Sequence, residues 1–382
     1  METGAGMKKR AVALLLLASL ALSLAGCSAF TKEYLSVTKY EDAAHTAETA
    51  AVDVSDYAGL KLAVTELVRG HKTVGRLKFA GYDGVLQTDL TQACQEVKNQ
   101  DALAAYCVNY ISTDLSREAN DYEAVVYISY RHTQNEIDAA RYLSDKSALQ
   151  GAMSTTLSEL DTYAAFKLIS PSITADEVKA AAARAFEADP VICVVQPELA
   201  VQIYPETGTL RFVEIELAYG WRTSELQKMK SALLGRVNQL ADDISAADRA
   251  QYALAACDVI AKNCAYAADG AALGSTAYGA LISGSADSRG LALAFAALCA
   301  KGSLECRVVT GTLDGAPHTW NIVLIDGAYY HVDVSEDASA GPADAFMRTD
   351  KEMSRRYAWD VTAYPACTTE RNAGVHLSRA AA

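Results

Sequence analysis

Ser288, His318 and Asp333 are the residues of this 382-residue chain whose types and spacing could do chemistry. Ser288 lies in GSADSRGLALAF, residues 284–295, where a small-residue loop runs into an apolar stretch of helical character. At a helix start, unpaired backbone N–H groups and the positive end of the dipole favour a nucleophile or an anion. His318 opens HTWNIVLI and Asp333 sits in AYYHVDVS, with Asp326-Gly327 between them as a two-residue hairpin signal. A hairpin closed there sets positions near 318–320 against positions near 332–334, which predicts side-chain contact between His318 and Asp333. A carboxylate beside an imidazole fixes its tautomer and stabilises its charged form, so the three residues could serve as nucleophile, base and orienting acid.

The serine narrows that chemistry. A thiol, with a reference pKa of about 8.5, can be brought to thiolate by a helix N-terminus and a histidine. A hydroxyl cannot. It must give its proton to neutral histidine during attack, before a base and oxyanion hole placed for it. Serine is also among the best helix N-caps, and the cap is the role expected of Ser288. Cys299 is too far to replace it, about 16 Å along the same helix at 1.5 Å per residue.

An α+β unit over residues 231–382 must position these side chains. Residues 233–269 read as helix, with the Ser245/Asp248 pair as a start, and a Gly/Ser/Tyr loop runs to Gly284. A helix over 288–301 follows, then the strands CRVVTGTL, HTWNIVLI and AYYHVDVS. Two β-α-β-β modules precede this unit, over 58–150 and 151–230. In the first, TVGRLKFAG is a strand, TDLTQACQEVKNQ a helix, and ALAAYCVNYI with YEAVVYISYR a strand pair. In the second, TYAAFKL is the strand and SITADEVKAAAARAFEADP the helix, opened by Thr174/Glu177 and closed by Pro190. VICVVQPELAVQIY and LRFVEIELAYGW then pair across residues 205–208. The two segments register at an offset of roughly 88 residues, which reads as a duplication.

Residues 1–26 read as an export signal: Lys8, Lys9 and Arg10 precede an apolar run ending in Leu24-Ala25-Gly26-Cys27. That ending resembles the bacterial lipobox, which makes Cys27 the lipidated residue and places the protein on the outer face of the cytoplasmic membrane. Residues 27–57, without sustained periodicity, read as a tether. Outside the cytoplasm disulfides persist, and Cys94 with Cys107 or Cys299 with Cys306 could pair.

The segment from AYGALISGSADSRGLALAF through HTWNIVLIDGAYYHVDVSED resembles the transglutaminase-like superfamily, in the bacterial branch related to papain-like cysteine proteases. The similarity spans residues 240–367 and implies a papain-like fold in which a helix packs on an antiparallel sheet. It implies His318 as catalytic histidine, Asp333 as orienting aspartate, and Gly290, Trp320 and Asn321 as supporting residues. Ser288 occupies the nucleophile position, where the family has cysteine, so the triad is degenerate. Leu291 and Glu336 replace an aromatic residue and a tryptophan of the family pattern.

A net charge of −13 and a pI near 5.0 argue against nucleic acid as a partner. No phosphate loop or dinucleotide fingerprint occurs, so no cofactor is expected. The histidines, His331 included, have no ligand-spaced partners, so no metal is expected and most read as solvated or strand-surface residues. Three functions fit the chain. The first is a non-catalytic transglutaminase-like lipoprotein, a pseudoenzyme binding peptide or cell-wall glycopeptide. The second is an active Ser-His-Asp amidase or peptidase, and the third is a structural cell-surface module acting through its repeats.

Overall fold

The computed structural model describes residues 50–118, 121–267, 273–335 and 346–370. Cys27, the signal segment, Glu336, His45 and His376 lie outside them.

The first sheet contains β1 (Val52–Asp53), β2 (Val74–Phe79), β3 (Val108–Glu118) and β4 (Asp121–Tyr130), ordered β1-β2-β4-β3. Helices α1 (Tyr57–Arg69), α2 (Leu86–Gln100) and α3 (Ala102–Cys107) accompany it. After α4 (Gln134–Ala139), the second sheet contains β5 (Arg141–Leu143), β6 (Tyr163–Leu168), β7 (Glu198–Tyr204) and β8 (Arg211–Ala218), ordered β5-β6-β8-β7. Its helices are α5 (Lys146–Glu159) and α6 (Ala175–Ala188). Each sheet joins its first two strands in parallel and the rest antiparallel.

Three expectations change here. The tether stops short of Val52, because Val52 and Asp53 pair with Leu77 and Lys78, Val54 is buried, and Asp56 caps α1 through Gly59 N. ALAAYC is helix rather than strand, because Asp101 caps it through Ala104 N and its small residues pack inward. Only residues 198–204 of VICVVQPELAVQIY are strand, since Ile192, Cys193 and Val194 are buried in a turn against the core. The two sheets meet through an aromatic stack. The Tyr106 ring lies parallel between His132 and Phe212, with centroids 4.3 and 4.4 Å away.

The C-terminal part begins earlier than expected and its helical stretch is divided. α7 spans Thr223–Asp243 and α8 spans Arg249–Asn263, with Asp248 rather than Ser245 capping α8 through Gln251 N. The short strands β9 (Ala265–Tyr266) and β10 (Ser285–Ala286) pair in parallel around a π-turn at Gly279–Ser283. α9 follows at Ser288–Lys301, and then β11 (Cys306–Leu313), β12 (Ala316–Ile325), β13 (Ala328–Val332), β14 (Phe346–Arg348), α10 (Asp350–Met353) and β15 (Tyr357–Ala358). The five strands form one antiparallel sheet, ordered β14-β13-β12-β11-β15.

α9 is the centre of this part. Residues 290–299 are buried on every side, as expected of a helix enclosed by others. It touches β12, β11, α7 and α8. The β12–β13 turn follows the Asp-Gly signal, with φ of 49° at Asp326 and 84° at Gly327. The possible Cys94–Cys107 and Cys299–Cys306 bridges are not formed, and seven of the eight cysteines among the described residues are buried, Cys306 being the exception. They pack as small apolar groups.

Phe295 is fully buried at the middle of α9. Phe295→Ala is expected to cost about 3–5 kcal/mol of stability, read as a lowered urea midpoint at unchanged slope.

Candidate functional site

Ser288 is not the cap of α9. Asp287 is: its backbone is extended and its Oδ1 accepts from Gly290 N at 2.9 Å. Oδ2 of the same residue accepts from Ser275 Oγ, tying the cap to the preceding loop. Ser288 is therefore the first helical residue, half-buried, and its Oγ accepts from Thr319 N on β12 at 3.3 Å. Gly290 is required by close packing: a Cβ there would stand 2.1 Å from Gly274 O and 2.8 Å from the Ala286 Cβ.

The hairpin brings His318 and Asp333 together. β12 pairs Asn321 with Val332, and His318 Nε2 lies 2.7 Å from Asp333 Oδ2. Asp333 is only 1% exposed. Its Oδ2 also accepts from Tyr357 OH at 2.8 Å, and its Oδ1 accepts from Ser335 N at 2.9 Å and Ser335 Oγ at 2.6 Å. Burial alone would raise this carboxyl, but His318, Ser335 and Tyr357 together hold it below its ordinary value. An ionised Asp333 makes Nε2 the protonated nitrogen of neutral His318, which leaves Nδ1 as the lone-pair nitrogen. Among the described residues Nδ1 accepts no hydrogen bond, and Ser288 Oγ makes none with His318.

Trp320 and Asn321 are both buried completely. Asn321 Nδ2 donates to Ala292 O at 3.1 Å and to Cys306 Sγ at 3.4 Å, fastening β12 to α9. Trp320 lies under His318 with ring centroids 6.3 Å apart, and its Nε1 donates to His331 Nδ1 at 2.9 Å.

His331 is the largest departure from expectation. Rather than a strand-surface residue, it is fully buried, and its Nε2 meets Asp350 Oδ1 at 2.9 Å. Its partner lies nineteen residues away and across a strand, so spacing within one motif could not reveal it. Ser335 and Tyr357 were missed for a similar reason, since nothing in a serine or a tyrosine marks it as a carboxylate partner. His331, Asp350 and Cys367 also bring N, O and S atoms within 4.8 Å of one another. The donor set does not suit a metal. Trp320 holds Nδ1 unprotonated, so Nε2 carries the hydrogen and offers no lone pair. Burial also pushes the Cys367 thiol up to about 12.

A model of the transglutaminase-like superfamily matches residues 238–334, which include Ser288, His318 and Asp333. A solved structure described as a TGase is 10% identical, with a TM-score of 0.27, covering 58% of this chain and 67% of that one. Another, named "a Putative Cysteine Protease from Cytophaga hutchinsonii", is 13% identical with a TM-score of 0.25, covering 40% and 68%. No curated protein matches the chain.

Burial lowers the His331 pKa against the opposing pull of Asp350. The unfolded chain then takes up a proton that the folded chain refuses, and stability falls as pH drops through about 6.5. Asp333, with its folded pKa depressed, adds stability that is present above about 3.9 and lost as pH falls below it. His331→Gln is expected to flatten the first of these slopes in urea midpoints taken across pH. His132, also lowered by burial, contributes to the slope that remains.

Proposed function

We propose that the transglutaminase-like domain has given up thiol catalysis and binds peptide or cell-wall glycopeptide beside His318, on a protein exported and lipid-anchored through Cys27. The observation that carries this reading is the state of Ser288. Its oxygen accepts an amide hydrogen bond from Thr319 and makes none with His318, so the base does not activate it. Asp287 supports the same reading. Its carboxylate takes up the positive end of α9 and sets a negative charge beside the atom that would have to become an anion. What remains for a peptide amide is a half-buried hydroxyl and the lone-pair edge of the His318 ring, itself 7% exposed, over a carboxylate that is buried with its donors in place.

Purified protein is expected to be retained by peptidoglycan fragments or their stem peptides. His318→Ala should weaken that binding at least about tenfold, equivalent to about 1.4 kcal/mol, by calorimetry. Equal binding by both proteins, or none by either, sinks the reading. Ser288→Cys assayed for amide hydrolysis or crosslinking is expected to stay as inactive as the native protein, since Asp287 answers the field at the start of α9 and the side chain at 288 is directed to Thr319 N instead of His318. A clear gain would show an intact thiol site.

A second reading, an active Ser-His-Asp amidase or peptidase, is favoured by one observation. Ser288 is freed from the cap role, and Nδ1 of His318 is unoccupied by any described residue. A fluorophosphonate probe separates the two. On the binding reading it leaves Ser288 unlabelled. Labelling that disappears in His318→Ala would establish the hydrolase instead.

A further inference from the structure

We propose that Tyr357 is a positioning residue for the His318–Asp333 pair. Residues 346–367, beyond the 238–334 stretch that the superfamily model matches, belong to the site because they deliver that phenol. The inference concerns the pair alone and holds whether the site binds or catalyses.

Asp333 Oδ2 is shared. His318 Nε2 approaches it at 2.7 Å and Tyr357 OH donates to it at 2.8 Å. A second donor on the same oxygen draws charge from it, and the histidine's own bond to that oxygen is correspondingly weaker. The phenol also fixes the carboxylate's orientation, together with the two Ser335 bonds on Oδ1. Tyr357 is buried, and its ring stands edge-on to His318 and to Trp320, with centroids 5.9 and 5.1 Å away.

The tail is held for this purpose at several independent points. β15 adds to the sheet by pairing Tyr357 with Leu313 and Ala358 with Thr312. A Cβ at Gly311 would stand 2.2 Å from Ala358 O and 2.8 Å from the Trp320 ring, so the close approach of β15 needs glycine at that position. Arg356 pairs with Asp314 at 2.6 Å on the outer side. Behind the site, Trp359 packs edge-on against Trp320 and His331, with centroids 5.8 and 4.8 Å away. Asp350 N donates to Cys367 O at 2.8 Å, and Cys367 N donates to Asp350 Oδ2 at 2.9 Å. Oδ1 of the same Asp350 receives His331, itself tied to Trp320. A second His–Asp pair, its histidine buried and its aspartate 33% exposed, thus clasps the tail against the indole on which His318 rests.

The test is the low-field proton resonance of the His318 Nε2–H in the full protein, assigned by its loss in His318→Ala. In Tyr357→Phe, which keeps the ring, Oδ2 loses a donor and the histidine bond strengthens. The resonance is expected to move further downfield with circular dichroism unchanged, and an unmoved resonance in a folded Tyr357→Phe overturns the assignment. Asp350→Asn leaves Tyr357 and Asp333 intact and loosens only the clasp, so it serves if the first variant does not fold. Broadening or loss of the same resonance is expected there. A sharp, unshifted one would show that the tail does not position the pair.

Discussion

A carboxylate at 1% exposure dictates much of the C-terminal architecture. An ionised group taken out of water is tolerated only when its lone pairs are met by donors, and Asp333 meets them from separate pieces of chain. His318 comes from β12, Ser335 from just beyond β13, and Tyr357 from β15 at the far edge of the sheet. The hairpin register, the return of the tail and the glycine at 311 are each needed for those donors to arrive. Leaving one out would weaken that compensation by the worth of a hydrogen bond to a charged group, about 1.5–3 kcal/mol.

What was legible in the sequence follows from how local its cause is. The α9 helix, the β11–β13 strands and the two-residue turn at Asp326-Gly327 rest on periodicity and turn chemistry within a few residues, and they form where those signals stand. The His318–Asp333 contact was legible too, because a tight hairpin converts sequence separation into register. ALAAYC misled because alanine, tyrosine and cysteine are ambiguous in a short apolar run, and the Asp101 cap decided for helix. Residues 52–53 carry no strand pattern of their own and pair only because β2 offers an open edge. His331 could not be read at all, since its burial depends on Trp320 beneath it and Asp350 from a later turn.

The N-terminus of α9 shows how one position changes the meaning of the next. Serine and aspartate are comparable caps, so residue preference could not choose between Asp287 and Ser288. The loop chose: Ser275 Oγ holds Asp287 Oδ2, and Gly274 O accepts from Asp287 N at 3.2 Å, which places the aspartate at the extended cap position. Ser288 is thereby pushed one residue into the helix, against β12. There its hydroxyl finds the Thr319 amide instead of one of the helix's own.

That displacement bears on chemistry more than the element substitution alone does. A thiolate draws its stability from the field at the helix start, and with Asp287 as cap much of that field is already answered by a carboxylate. A serine never depended on the field, because its proton must leave during attack rather than before it. What a serine does depend on is a short, aligned contact with the base, and this Oγ is directed to a backbone amide instead. The His318–Asp333 pair is built to the standard that catalysis would require. The hydroxyl beside it is held as a hydrogen-bonding group, and that difference in placement within one site is the physical ground for reading it as a surface that binds.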